Sequence, residues 1–322
     1  MTHEPSELDD ARMPPSARGA PSGWRAAIAR RVGRFLGIPD LFEAVQAFDR
    51  HFRRHSDALK RHGEEIEDLQ SQARVWTTMA RLELDSVPRE TCVSVVLATR
   101  NRAEFLTRAI ASVAGQTHSH WQLVVVDDGS DDELTPALLE GFEDPRIVVV
   151  RQEHRGLSSA RNAGLDRATG DYIAYLDDDN VLHPNWLRAV VWAFDLHPNS
   201  DVLLGCRIID DWQRALGGLS GGTTGLQVPV FDREALIRGN IADIGMLAHR
   251  RSLRSARFDE DLSALEDWDL LLRLTDRRAP LMIPAIACLY TTTAPGRLSD
   301  AAHGHEKNLR RILDKLDEGT EA

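Results

Sequence analysis

Between Val93 and Leu176 the chain alternates short apolar runs with longer stretches of helical spacing, and each apolar run ends in a polar cluster. Val93 to Ala98 is almost continuously apolar, as expected of a strand buried on both faces. The pattern predicts a helix over Ala103–Ala114, a strand over Gln122–Val126 and a helix over Leu134–Glu140. A strand over Arg146–Val150, a helix over Leu157–Ala168 and a strand over Tyr172–Leu176 follow. Such a series folds as a mostly parallel central sheet with flanking helices, an α/β architecture. Ligands of these sheets collect at the carboxyl ends of the strands. The polar clusters of this chain fall at those ends.

The segment before Pro88 is built differently. Residues 1–23 are rich in Pro, Ser, Gly and charge and read as a disordered tail. Trp24, Ile28, Val32, Phe35 and Leu36 then share one helical face, with Arg25, Arg30, Arg31 and Arg34 elsewhere. That pattern suits an anionic membrane surface, and it equally suits a helix packed on its own protein. From Leu41 the apolar positions alternate four and three apart: Leu41, Val45, Phe48, Phe52, His55, Leu59, His62, Ile66, Leu69, Ala73, Trp76 and Ala80. A repeat of about 3.5 residues marks a coiled coil. This helix can pair with a second copy through residues 41–80 or fold back on its own domain. The expected organisation is a disordered tail (1–23), a helical, coiled-coil segment (24–87), an α/β domain (88–300) and a C-terminal helix (301–322).

The 322-residue chain has 42% hydrophobic and 28% charged residues, in the range of a soluble globular protein. Its formal net charge of −11 argues against nucleic acid as a partner, because phosphate contacts need a basic surface. Cys92, Cys206 and Cys288 are too few and too scattered for a disulfide framework or a zinc site, so a cytoplasmic, reducing compartment is expected. The start of the chain lacks the apolar core of a signal peptide. No apolar run approaches the ~20 residues of a membrane span. The longest, Leu281–Tyr290, is interrupted by Pro284.

Asp177-Asp178-Asp179 follows the last of these strands directly. Three adjacent carboxylates repel one another, and Mg²⁺ or Mn²⁺ relieves that repulsion while bridging to phosphate oxygens. Residues two apart in an extended segment face the same side. Asp177 and Asp179 are therefore the candidate metal pair, with Asp178 turned away; a solvated acidic turn is the simpler alternative. Asp127-Asp128-Gly129-Ser130 ends the second strand. Asp128 there can accept hydrogen bonds from a base or a ribose, or serve an ordinary Asp-Gly turn. Thr99-Arg100-Asn101-Arg102 offers donors to phosphate and a flat guanidinium for stacking. In His154-Arg155-Gly156, Gly156 permits close backbone approach to a ligand, and Arg161 adds positive charge on the following helix. Ser263 and Glu266 have capping-box spacing. Asp267 then falls in the first turn of a helix, where the dipole favours an ionised carboxylate and hence a general base.

Taken together, Val-Ser-Val-Val-Leu-Ala-Thr-Arg-Asn-Arg (93–102), Val-Val-Asp-Asp-Gly-Ser (125–130), Ala-Arg-Asn-Ala-Gly (160–164), Gly-Asp-Tyr-Ile-Ala-Tyr-Leu-Asp-Asp-Asp (170–179) and Glu-Asp-Trp-Asp-Leu (266–270) resemble glycosyltransferase family 2. The resemblance runs from about Val93 to about Ser299. It implies the GT-A, Rossmann-like fold and an inverting transfer of a sugar from a nucleotide-sugar donor to an acceptor hydroxyl with Mn²⁺ or Mg²⁺. The acceptor it implies is a glycan, a lipid-linked molecule or a small molecule, in the setting of cell-envelope polysaccharide synthesis. Its implied donor residues are Thr99, Arg100, Arg102, Asp128, Gly156, Arg161 and Asp178. Asp177 and Asp179 are the implied metal ligands and Asp267 the implied catalytic base. Asn240, Glu266 and Trp268 are candidates for the acceptor site or a lid.

Two positions depart from the usual pattern: Arg100 stands where relatives carry an aromatic residue, and His154 where asparagine is usual. The Gln-x-x-Arg-Trp motif of processive synthases is absent, so single additions are expected. The segment from Gly205 to about Arg257, with the glycine-rich run 217–222, is expected to shape the acceptor site. Tyr290 and residues 295–299 are expected to close over the donor. The rival readings are a sugar nucleotidyltransferase, which lacks support because Thr99–Arg102 replaces the glycine-rich loop such enzymes carry, and a non-catalytic coiled-coil scaffold. The expected location is the cytoplasm, with a peripheral place at the inner face of the membrane.

Overall fold

The structure is a computed structural model that describes residues 60, 63, 66–210, 225–292 and 305–320. Two compact units divide the chain at Leu69/Gln70, and the second is the subject below. The tail, the amphipathic stretch 24–36, the coiled-coil positions 41–59, the glycine-rich run 217–222 and the segment 295–299 lie outside the described residues.

Four parallel strands form the first half of the sheet: β1 (Val93–Thr99), β2 (Trp121–Asp127), β3 (Ile147–Arg151) and β4 (Tyr172–Asp177). Helices α2 (Ala103–Ala114), α3 (Leu134–Glu140) and α4 (Leu157–Arg167) connect them. The sequence pattern placed every one of these elements, but it ended each of the four strands one residue early. The cause is one and the same. Thr99, Asp127, Arg151 and Asp177 are polar, so apolar patterning misses them, yet each stays in the backbone ladder. In register, Thr99 pairs with Asp127, and Asp177 pairs with Ala98. Three polar clusters are thereby set side by side along one edge of the sheet.

Beyond β4 the sheet continues through β8 (Leu247–Arg250), β6 (Val202–Asp210), β9 (Leu281–Thr291) and β5 (Val181–Leu182), and β7 (Gly225–Gln227) pairs with β6. The joint between the halves is antiparallel, Tyr172–Ala174 against Arg250–Ala248. The run 281–290 is thus a strand. Pro284 sits where the β6–β9 register shifts, a position that tolerates a residue without an N–H. Helices α5 (Trp186–Leu196), α6 (Arg233–Arg238), α7 (Glu266–Leu274) and α8 (His305–Thr320) complete the unit.

The main core cluster includes the fully buried Leu97, Leu123, Tyr175, Leu176, Trp186 and Phe194, and a second, smaller one joins Val124 and Val126 of β2 to Ala160 of α4. A helix before β1, α1 (70–84), joins that core through Val75, Met79 and Leu82. Those are not the coiled-coil positions: Ala73, Trp76 and Ala80 face solvent. Val75, Met79 and Leu82 form their own stripe of helical spacing, and this stripe, not the 3.5-residue repeat, binds the α/β unit. The three cysteines are free, with Cys206 and Cys288 buried.

Candidate active site

The β1–α2 turn carries Thr99, Arg100, Asn101 and Arg102 to the edge of the sheet. Asn101 takes the left-handed conformation, φ 55°, and its side-chain oxygen accepts from the backbone of Asp131 and Asp132. That bond ties the β1 and β2 turns together. Thr99 Oγ1 donates to Asp178 Oδ2 at 2.8 Å. Arg102 lies 3.1 Å from Asp178 Oδ1 through Nε and 2.9 Å from Asp179 Oδ2 through Nη2. Burial pushes the Asp178 carboxyl up to about 7; the charge of Arg102 opposes this and that of Asp179 reinforces it. Arg100 is exposed.

Arg161, at 4% exposure, is the hinge pin of the site. Its Nη2 donates to Asp177 Oδ1 and its Nη1 to Glu266 Oε1, both at 2.7 Å. The ring of Phe258 lies 5.2 Å from the guanidinium. Burial alone would lower the arginine's pKa, but the carboxylates of Asp177 and Glu266 outweigh it and raise it. Arg161 was expected to position a donor; its planar fork instead couples the end of β4 to the first turn of α7. The capping box expected of Ser263 and Glu266 does not form. Leu265 enters α7 in the left-handed region, φ 65°, without a side-chain cap. Glu266 turns to Arg161 because a buried guanidinium competes better for a carboxylate than a helix end does. Ser263 Oγ instead accepts from Asn308 of α8.

Asp267 is half-buried one residue further on. Its Oδ2 accepts from Asn240 Nδ2 at 3.0 Å and its Oδ1 from the Trp268 N–H at 2.7 Å. Burial raises its pKa, the Glu266 and Asp177 charges add to that, and Arg161 opposes it. Asn240, two residues after α6, therefore meets Asp267, a contact that the sequence did not suggest. Trp268 does not belong to an acceptor surface: it is buried and donates its indole N–H to the Leu236 carbonyl, pinning α7 to α6. Asp243 is a carboxylate that the sequence reading passed over. It lies close enough to Asp177 and Asp267 for their charges, after burial itself, to raise its pKa, and Arg207 stands 3.9 Å away. Its only sequence signal is Asn-x-x-Asp spacing from Asn240. Tyr290 stacks on that same Arg207, 4.3 Å from ring centre to guanidinium.

Asp128 is enclosed rather than open. Oδ1 accepts from Gln152 Nε2 and the Arg155 N–H, and Oδ2 from His154 Nδ1 and the Gly156 N–H, at 2.7–2.9 Å. Burial works against ionisation, yet these donors hold its pKa below the usual carboxylate value. All four lone-pair directions are occupied, so a base can reach Asp128 only by displacing a side chain such as His154. Gly156, φ 94°, has no protein atom within 4 Å of where a Cβ would stand, so its face is open.

Asp177 and Asp179 are held by different arginines. Arg102 gathers Asp178 and Asp179, and Arg161 holds Asp177. Among the described residues, no group of three or more His, Cys, Asp or Glu is arranged to hold a metal. The donor set nevertheless fits a hard divalent cation. Among the described residues, Asp177, Asp178, Asp179, Asp243 and Glu266 pair with Arg102, Arg161 and Arg207, and burial first, then neighbouring carboxylates, raises the pKa of Asp178, Asp243 and Asp267.

The parallel β-α-β half, its acidic edge and the antiparallel extension define the GT-A class of α/β fold. Residues 94–242 match the model of glycosyl transferase family 2. The chain is similar to the succinoglycan biosynthesis protein ExoO of Rhizobium meliloti, 33% identical over 198 residues, 58% of this chain and 56% of ExoO. It is also similar to a glucosyl-dolichyl phosphate glucuronosyltransferase of Haloferax volcanii, 34% identical over 124 residues, 37% of this chain and 39% of that protein. Among solved structures, Staphylococcus aureus TarS 1–349 in complex with UDP-GlcNAc superposes with a TM-score of 0.53 at 20% identity, over 69% of this chain and 64% of that one. The matched part spans 23% to 56% of the length of the first curated relatives. No helix among the described residues is long and apolar enough to cross a membrane.

Proposed function

We propose that this chain is an inverting, non-processive glycosyltransferase that moves a sugar from a nucleotide-sugar donor to an acceptor hydroxyl with a divalent metal. The observation that carries the reading is the chain of contacts Asp177–Arg161–Glu266, which holds the acidic end of β4 next to Asp267 and Asn240. The complex of the fold neighbour TarS with UDP-GlcNAc supports a nucleotide-sugar donor. The succinoglycan and glucosyl-dolichyl phosphate relatives support a glycan or lipid-linked acceptor.

In this reading the β1, β2 and β4 turns receive the nucleotide, with Thr99, Arg100, Asp128 and the open face of Gly156 around it. Asp179 and Asp177 would hold Mn²⁺ or Mg²⁺, which when bound offsets the charge growing on the departing diphosphate. Asp267 takes the acceptor hydroxyl's proton as that oxygen attacks the anomeric carbon. The bond from that carbon to the diphosphate breaks on the opposite face, so configuration inverts. Asn240 orients Asp267 through the Oδ2 bond, leaving the raised pKa to favour proton uptake near neutrality. The arginines at residues 25–34 support work at the inner face of a membrane, and the exposed heptad positions of α1 support pairing with a second copy.

The test is metal-dependent release of nucleoside diphosphate from a panel of nucleotide sugars. A transferase hydrolyses its own donor slowly without acceptor, and Asp179→Ala should abolish that release and metal-dependent donor binding. Unchanged affinity in Asp179→Ala would remove the metal from this site. Pyrophosphate release from a nucleoside triphosphate would make the chain a nucleotidyltransferase instead.

A further inference from the structure

Helix α8 lies against the segment that delivers Asp267, although it is about 40 residues further along the chain. Ile312 is buried in the core, and Leu309 and Leu316 pack beside it. The same helix presents Arg311 and Lys315 to three aspartates. Arg311 contacts Asp259 at 2.8 and 3.2 Å and Asp261 at 2.6 Å. Lys315 Nζ stands 2.6 Å from both Asp259 Oδ2 and Asp269 Oδ1. Asp259 precedes the base by eight residues, and Asp269 follows it by two, on the first turn of α7.

The opposite side of the 258–265 segment is held by α4. Asn162 accepts from the Phe258 N–H and donates to the Phe258 carbonyl, both at 2.9 Å, and Ser158 Oγ lies 3.3 Å from the Leu262 carbonyl. The segment is thus gripped from two sides and ends at Leu265 in its left-handed conformation, immediately before Glu266 and Asp267. Lys315 does what the apolar contacts of α8 cannot. Two carboxylate oxygens that touch one ammonium at 2.6 Å are no more than about 5 Å apart, and Asp269 is almost fully buried. Without the lysine their repulsion acts across a poorly screening medium and forces the first turn of α7 away from Asp259. Arg273 also contacts Asp269, at 2.8 Å, but its other bonds run to the Ser255 and Arg257 carbonyls, not to Asp259.

We propose that Lys315, supported by Arg311, is a positioning residue for the transfer reaction: α8 acts as a clasp that fixes the first turn of α7 and therefore the aim of Asp267. The proposal rests on the reading of Asp267 as the base. A misaimed base slows chemistry while leaving the nucleotide site, built on β1, β2 and β4, intact.

The experiment is steady-state transfer with the full chain and its variants Lys315→Met, Lys315→Arg and Arg311→Gln, alongside nucleoside diphosphate binding by titration calorimetry. Lys315→Met should lower kcat about tenfold, with donor KM and nucleoside diphosphate Kd within twofold of the parent. Lys315→Arg should restore most of the loss, and the acidic limb of the kcat–pH profile should move in Lys315→Met alone. A kcat within twofold of the parent in Lys315→Met, or a loss carried by donor KM, overturns the proposal. If Lys315→Met does not bind nucleotide because it has not folded, Arg311→Gln, which keeps the lysine, decides by the same split. Asp267→Asn separates the two ideas: turnover retained there removes the base, whereas an inactive Asp267→Asn beside a fully active Lys315→Met removes the clasp alone.

Discussion

Asp267 combines three conditions that a carboxylate base needs: partial burial, an amide from Asn240 on one oxygen, and a neighbouring charge set that raises its proton affinity. Asp267→Asn should therefore keep nucleoside diphosphate affinity and lose transfer by about 10²–10⁴-fold, the usual range for a positioned general base; transfer and binding assays on one preparation check this. The sign of the pH effect follows. A base must be deprotonated, and its pKa is raised above the ordinary carboxylate value of about 4. Activity should therefore still be climbing above pH 5, where an unperturbed aspartate would have levelled off, and a kcat profile that is flat from pH 5 upward would contradict it. At this scale the sequence made the acidic positions legible, because polar residues directly after apolar strands stand out. It could not show their partners. Arg161 and Glu266 are 105 residues apart, and Asp128 looks free until the Gln152–Gly156 backbone wraps it.

The β-α-β half was legible as elements because period-2 and period-3.6 patterns are local. The β6–β9 half was not, since its strands mix polar and apolar residues and depend on non-local pairing. Turn chemistry was legible in one place for a reason the structure explains. Gly129 has φ 73°, and a Cβ there would stand 2.6 Å from the His154 backbone nitrogen. Gly129→Ala should destabilise the unit by about 1–3 kcal/mol, the range for a strained left-handed residue. That corresponds to roughly 2–4 °C per kcal/mol in a domain of this size, read as a lower Tm in a thermal melt. Because the same contact closes the loop around Asp128, nucleotide affinity should weaken in parallel. The capping box was misread for a complementary reason: spacing alone cannot tell a helix cap from a partner across the molecule.

For the whole molecule, a divalent metal and a nucleoside diphosphate bound at the proposed site should stabilise the fold. Manganese with the right nucleoside diphosphate at a hundred times Kd should add about 2.7 kcal/mol. A melt should rise by several degrees, and chelation should reverse the rise. The nucleotide alone should do much less. The exposed heptad side of α1 gives a second whole-molecule expectation. Trp76 is 57% exposed, while Val75, Met79 and Leu82 serve the core. Trp76→Asp should shift a dimer to monomer in sedimentation without lowering Tm, because Trp76 takes no part in the folded interior. A mass unchanged from parent to variant would remove that seam as the pairing surface.

The joint between β4 and β8 divides labour along the chain. In the proposed reading residues 93–179 contribute the nucleotide edge, and residues 202–291 contribute Asn240, Asp243 and Asp267. Three residue pairs make the seam, and Arg161–Glu266 and Asn162–Phe258 fasten it. A hybrid enzyme could thus borrow its latter portion from a relative at the 197–201 turn, retaining those two fastenings, and so exchange one recipient molecule for another while its activated-sugar preference stays put.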